Sequence, residues 1–196
     1  MTATLQPIGK GHHRRRKSLS QFEETPQMSL SFYDASVPAL RRGLVVLDNL
    51  LAKAEAHVAE TGIDPATLLG ARIAPDMHPF TRQVQMVSDN AKGAVARLAG
   101  IDAPAMADEE QSLGDLRQRI ANTIAFVDTV QPADISDDAG RTIVLKLAKG
   151  EITFTAQSYL LGFALPNFYF HLTTAYDLLR QQGLAIGKRD FIGPLG

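Results

Sequence analysis

The sequence predicts an all-α fold, a bundle of four long helices with a short β-hairpin before the last of them. Three observations predict it. Apolar residues recur at spacings of three and four through four long stretches, one stripe of a helix each time. Glycine, proline and small polar residues punctuate the ends of those stretches. Between the third and fourth the period changes, and β-rich runs flank Lys149-Gly150.

Taken in order, residues 1–27 differ in kind from the rest. They carry the run His12-His13-Arg14-Arg15-Arg16-Lys17 and a formal charge of +3. They read as a disordered basic extension to a folded domain over 28–196. The first helix is expected over about 33–60, on the stripe Val37, Leu40, Leu44, Leu47, Leu51, Ala54 and Val58. Pro38 fits only a first turn, so Asp34 or Ser36 is the expected N-cap, and Thr61-Gly62 ends the helix. A single helical turn is expected at 64–69. The second helix is expected over about 77–99, marked by Asp76 and Pro79, buried through Phe80, Val84, Val87, Ala91, Ala94 and Leu98, and stopped by Gly100.

Ser112-Leu113-Gly114-Asp115 has the Ser-x-x-acid pattern of a helix start. It opens a third helix on Leu113, Leu116, Ile120, Thr123, Val127 and Val130, which ends before Pro132. The strands of the hairpin are Thr142 to Leu147 and Ile152 to Phe154, and an isolated hairpin is marginal in water, so it should lie on the helices. The fourth helix, about 155–182, is apolar nearly all round, which predicts burial on most sides. Pro166 within it should kink or split it. Leu184 to Gly196 reads as an ordered extended tail anchored by Ile186, Phe191 and Ile192.

Composition limits the function. Lys and Arg total 20, Asp and Glu 21, and the net charge is −1. That balance argues against a whole surface tuned for nucleic acid or anionic membrane. The sharper reading of residues 12–17 is a nucleic-acid or lipid contact, and the plainer one a solvated tail. There is no cysteine, which excludes disulfides, thiolate nucleophiles and Fe–S clusters. Any metal would use His, carboxylate, amide or backbone oxygen. No stretch reaches the ~18–20 apolar residues of a spanning helix, no secretory signal is evident, and a cytoplasmic location is the default expectation. Phosphate-loop, nucleophile-elbow, His-Glu-x-x-His and dinucleotide patterns are absent, as are the Glu-x-x-His pairs of a di-iron bundle.

The informative stretch is Leu165 to Tyr176. Asn167 and His171 are four apart and share a helix face, flanked on it by Leu160, Ala164, Thr174 and Leu178. Burying an unsatisfied polar group costs roughly 1–3 kcal/mol, so each should have a partner. Either the two form a structural hydrogen-bond network in the core, or they line a pocket and bind a metal or substrate. His78 could be a second ligand reaching toward His171, or simply mark a helix start beside Asp76. Asp89 could be a third ligand, or pair with Lys92 or Arg82 on a polar face. His57 reads as a partly packed residue near a helix end.

These pieces resemble a family. Ala71 to Met77, Gln83-Val84-Gln85, Asp89 through Lys92 to Gly100, and Leu165-Pro166-Asn167-Phe168-Tyr169-Phe170-His171 continuing to Tyr176 look like an uncharacterised family of the DinB/YfiT-like superfamily. The resemblance spans about residues 28 to 194. It implies a four-helix bundle with a divalent metal held by three His on its inner face, two of them four residues apart on one helix. It also implies homodimers and, in some members, metal-dependent thiol transfer or isomerisation. His171 matches the second His of the spaced pair, and Asn167 stands where the first should be. The expected site is therefore a small-ligand pocket lined by Asn167, His171 and Tyr176. His171 would be its ligand or general base, and His171, His78, Asn167 and Asp89 the candidates for a weak zinc or nickel site, if any metal binds. A metal-dependent transferase and a non-catalytic dimeric bundle are the alternatives.

Overall fold

The computed structural model describes residues 30–147 and 150–193. The basic run at 12–17 and the hairpin's Lys149 lie outside the described residues. Helix α1 runs Phe32–Thr61. Its N-cap is Ser31, whose Oγ accepts from the Asp34 N–H at 3.0 Å. Neither Asp34 nor Ser36 caps the helix as expected. Both lie within its first turns, where the Ser36 hydroxyl donates back to the Phe32 carbonyl at 2.5 Å. Pro38 consequently falls inside the helix rather than in its first turn, leaving the Asp34 carbonyl without its usual helical donor. Gly62, at φ 70°, closes the helix by donating to the Val58 carbonyl.

A single turn, α2 (Pro65–Leu69), follows its cap Asp64. Helix α3 spans Phe80–Ala99 and stops at Gly100, φ 70°. It starts three residues later than the sequence suggested. Met77 donates to the Ala74 carbonyl in a turn, and a residue before proline is pushed out of helical geometry, which keeps His78 outside the helix. Pro79 stands at the N-cap and offers no side-chain acceptor. Helix α4 spans Leu113–Val127, with the Ser112 hydroxyl accepting from the Asp115 N–H.

Strands β1 (Thr142–Leu147) and β2 (Gly150–Thr155) pair antiparallel, Ile143 opposite Phe154 and Leu145 opposite Ile152. The hairpin lies on the helices. Ile143 and Leu145 are buried, and the Phe154 ring packs 5.9 Å from Tyr159 and 5.6 Å from Phe163. Arg141, at its base, donates to the Leu98 carbonyl at the C-terminus of α3.

The last long helical run comprises α5 (Ala156–Tyr159), a wider π turn over Leu160–Ala164, and α6 (Leu165–Gln181). The Leu165 N–H reaches back five residues to the Leu160 carbonyl. Pro166, which has no N–H, follows at once, and the expected kink or split takes the form of a change of winding that divides the run into α5, the π turn and α6. This run is not buried on most sides. Leu161, Tyr169 and Phe170 are 55 %, 39 % and 55 % exposed, because partners cover α6 on only part of its circumference. Beyond it, Leu184 and Ile186 are buried, and residues 188–192 form a short helix, α7 (Lys188–Ile192), where an extended tail was expected. Asp190 ties it down by accepting from the Gly187 N–H and from Lys53 of α1.

Helix α1 packs against α4, α3 and α6, and α3 against α6 and α4. The apolar positions predicted for the first three helices are buried, with Val58 partly so. Apolar burial at that scale supplies the main force holding the bundle. No described helix is long and apolar enough to cross a membrane.

Candidate functional site

Helices α3 and α6 run antiparallel, and three polar contacts at successive levels join α3 to α6 and to α5 before it. Gln83 meets His171, Asn90 meets Asn167, and the Gly93 carbonyl meets the Tyr159 hydroxyl. At the first level, His171 is 5 % exposed and Gln83 2 %. His171 Nδ1 lies 2.7 Å from Gln83 Oε1. The Gln83 amide nitrogen donates to the His78 carbonyl at 3.2 Å, which turns its oxygen toward the imidazole. Nδ1 must then carry the proton and donate it, which leaves the Nε2 lone pair bare. Nε2 takes no hydrogen bond among the described residues, and it is not among the fully enclosed side-chain atoms that lack a partner. One edge of the ring is fixed and the other has no hydrogen-bond partner among the described residues.

Electrostatics keep this imidazole neutral. Burial lowers the His171 pKa below the ordinary value first, and the nearby charges of His78 and Arg82 lower it further. His78 is exposed. Arg82 Nη1 donates to Asp108 and to Gln85 Oε1. Its Nε and Nη2 take no partner among the described residues.

The other predicted site residues are placed differently. Asn167 is half-buried and donates from Nδ2 to Asn90 Oδ1 at 2.7 Å, while Asn90 donates to the Met86 carbonyl. Its amide serves α3–α6 pairing one turn below His171. Tyr176 packs its ring 5.6 Å from Phe191 of α7. At 100° per residue it stands about 140° around α6 from His171, away from the imidazole. Asp89 faces α4, ion-paired with Arg119 at 2.8 Å and Lys92 at 3.0 Å. His57, on α1, is half-buried and borders a separate cavity of about 210 Å³ with Leu184 and Ile186.

Among the described residues no group of three His, Asp or Glu is set to hold a metal. Of the four candidate ligands, Asn167 is engaged by an amide and Asp89 by two cations. His171 and His78 remain, beside a guanidinium. Those side chains do not fit a divalent ion held by three protein ligands.

Sequence reasoning missed the partners. Gln83 and Asn90 are seven apart, on the same side of α3 beside the apolar stripe, and that placement was the available signal. It also missed Arg119. This guanidinium, with a side chain 2 % exposed, meets Asp89, Asp108 and Glu110 between α3, α4 and the 101–111 connection. Glu110 consequently sits below the usual carboxylate range, hydrogen bonds from Arg119 and Gln85 outweighing its burial. Nothing in a lone arginine on a helix announces three carboxylates arriving from elsewhere in the chain.

Comparison with known proteins agrees with the architecture. The DUF1993 family, described as a domain of unknown function, matches residues 32–192. The crystal structure of a DinB family member protein from Shewanella denitrificans is 37 % identical, with 83 % of this chain and 92 % of that chain covered, at a TM-score of 0.77. No curated protein matches. The match over residues 32–192 and the likeness in fold place the helical bundle with these relatives, and the chain is a member of the DUF1993 family within the DinB-like superfamily.

Proposed function

We propose that this protein binds a small molecule at the end of the α3–α6 seam, with His171 Nε2 as the atom that takes the ligand's proton. The observation that carries the reading is the one-sided imidazole, held at Nδ1 by Gln83 and free at Nε2. A neutral ring whose tautomer is set by a fixed acceptor presents a directed base. Its lowered pKa keeps the lone pair available at neutral pH. A hydroxyl or thiol placed against Nε2 would donate a hydrogen bond to the lone pair and pass its proton to the ring as negative charge develops on its oxygen or sulfur in a reaction, charge that His78 and Arg82 would stabilise. Asn167 and Asn90 hold α6 in register below the site, so their role in it is positioning.

The test is chemical modification of the folded protein with diethyl pyrocarbonate, mapped by mass spectrometry. The reading expects carbethoxylation of His171 at Nε2 under conditions where circular dichroism shows the helices intact. Modification confined to His57 and His78, with His171 reacting only after unfolding, would overturn it.

A further inference from the structure

A cavity of about 520 Å³ lies between α1 and the chain that carries α7. Asn49, Ala52 and Lys53 line it from α1, and Arg189, Asp190 and Gly193 from the other side. Its volume falls within the roughly 300–1,000 Å³ of small-molecule sites. Two other cavities against α1, of about 180 and 210 Å³, fall short of that range. Ala52 and Gly193 bring no bulk to it, and the Lys53–Asp190 pair fixes α7 beside α1.

Charge decides what such a space takes. Two cations and one carboxylate line it. The carboxylate is fully engaged. Asp190 accepts from Lys53 at 2.5 Å through Oδ1 and from the Gly187 N–H at 2.7 Å through Oδ2. These bonds hold its carboxyl below the usual range, so it stays ionised and cancels Lys53. The Arg189 guanidinium, in contrast, has no hydrogen bond or ion pair among the described residues, and neither does the Asn49 side-chain amide. A cavity of about 340 Å³ beside α4 is also large enough, but its guanidinium, Arg119, already meets Asp89, Asp108 and Glu110. The cavity beside α7 is the one whose guanidinium lacks a counter-ion.

We infer that this cavity binds a small organic carboxylate, at a site separate from His171 and independent of the reading given to it. The planar guanidinium of Arg189 takes the two carboxylate oxygens side by side. The Asn49 amide donates to one of them, and the body of the molecule lies over Ala52 and Gly193. One uncancelled positive charge matches one negative charge, which favours a carboxylate over a phosphate carrying nearly two.

The experiment follows the Asn49 side-chain amide and the Arg189 Nε–H of the full chain by ¹⁵N–¹H correlation NMR. Butyrate, benzoate, n-butylammonium and inorganic phosphate are titrated separately. Butyrate or benzoate should shift both groups saturably, and n-butylammonium should shift neither. Arg189→Gln, read at Asn49, should weaken carboxylate binding by about tenfold or more, the loss of a charge-assisted contact. Lys188→Gln removes an exposed cation of α7 that does not line the cavity, and should change binding by less than about twofold. Ala52→Met keeps every charge but fills the space, and should abolish binding while circular dichroism shows the helices intact. His171→Gln should leave carboxylate binding unchanged, so this site and the His171 site stand or fall separately. The inference fails if neither carboxylate shifts these groups, or if phosphate binds more tightly than both. Equal weakening by Lys188→Gln and Arg189→Gln would reduce the effect to diffuse surface charge and overturn the site. Binding untouched by Ala52→Met would put the carboxylate on the open surface and overturn it as well.

Discussion

Replacing Gly43 by alanine tests how α6, and with it His171, is held against α1. A Cβ at Gly43 would lie 2.5 Å from Phe168 Cε1, 2.6 Å from its Cζ and 3.1 Å from Leu172 Cδ2. Phe168 is fully buried, so its ring cannot swing into solvent. Alanine should gain roughly 0.8–1.0 kcal/mol over glycine inside a helix. Overpacking a closed core costs about 1–3 kcal/mol, and contacts under 3 Å with an aromatic ring belong to the upper part of that range. The balance is a net loss of about 1–2 kcal/mol, or a fall in Tm of about 2–8 °C for a chain of this length. Urea denaturation followed by circular dichroism measures it. Gly114→Ala is the control, because its Cβ meets only Ser112 Oγ at 3.7 Å and Glu55 Oε1 at 3.8 Å, and its stability should change by no more than about 0.5 kcal/mol downward. A Gly43→Ala protein as stable as the parent would refute the packing argument.

Two further outcomes follow from the buried polar groups. Arg119→Ala should destabilise by about 3 kcal/mol, near the lower end for breaking a buried ion pair, since Asp89 and Asp108 can rehydrate at 37 % and 43 % exposure; a loss under about 1 kcal/mol in equilibrium denaturation would contradict it. The lowered His171 pKa makes stability depend on pH. Below the ordinary imidazole value near 6.5 the unfolded chain takes up a proton that the folded His171 refuses, so stability is complete above that value. It should decline as pH falls toward the folded pKa, by at most about 1.4 kcal/mol per pH unit from this group. His171→Gln should flatten that part of the denaturation-midpoint profile, and an unchanged slope would count against the buried neutral ring.

Much of the fold is legible in the residues because the three predicted stripes Val37–Ala54, Phe80–Leu98 and Leu113–Val130 are what the core uses. Gly62 and Gly100 end helices where their left-handed backbone is needed. The misreadings arise where one local signal is decided by a distant one. Apolarity around the last long helical run looks like burial on most sides until the packing leaves Leu161 and Phe170 outside. Pro166 promises a kink or a split, and does not say that a wider turn just before it would make the division. At the site, spacing alone brings Asn167 and His171 to one face. It does not show that Asn90 and Gln83 would each claim one of them, or that Arg119 would draw Asp89 to another helix pair. Such partners lie 30 to 88 residues apart, beyond any periodicity.

The most direct test is the protonation state of His171 in the native protein, read from the ¹⁵N shifts and couplings of its ring at neutral pH. The account predicts a neutral ring with the proton on Nδ1, held by Gln83, and an unprotonated Nε2 that responds to added solutes. A proton on Nε2 instead, or on both nitrogens, would mean that the ring offers no lone pair at that edge and would contradict it.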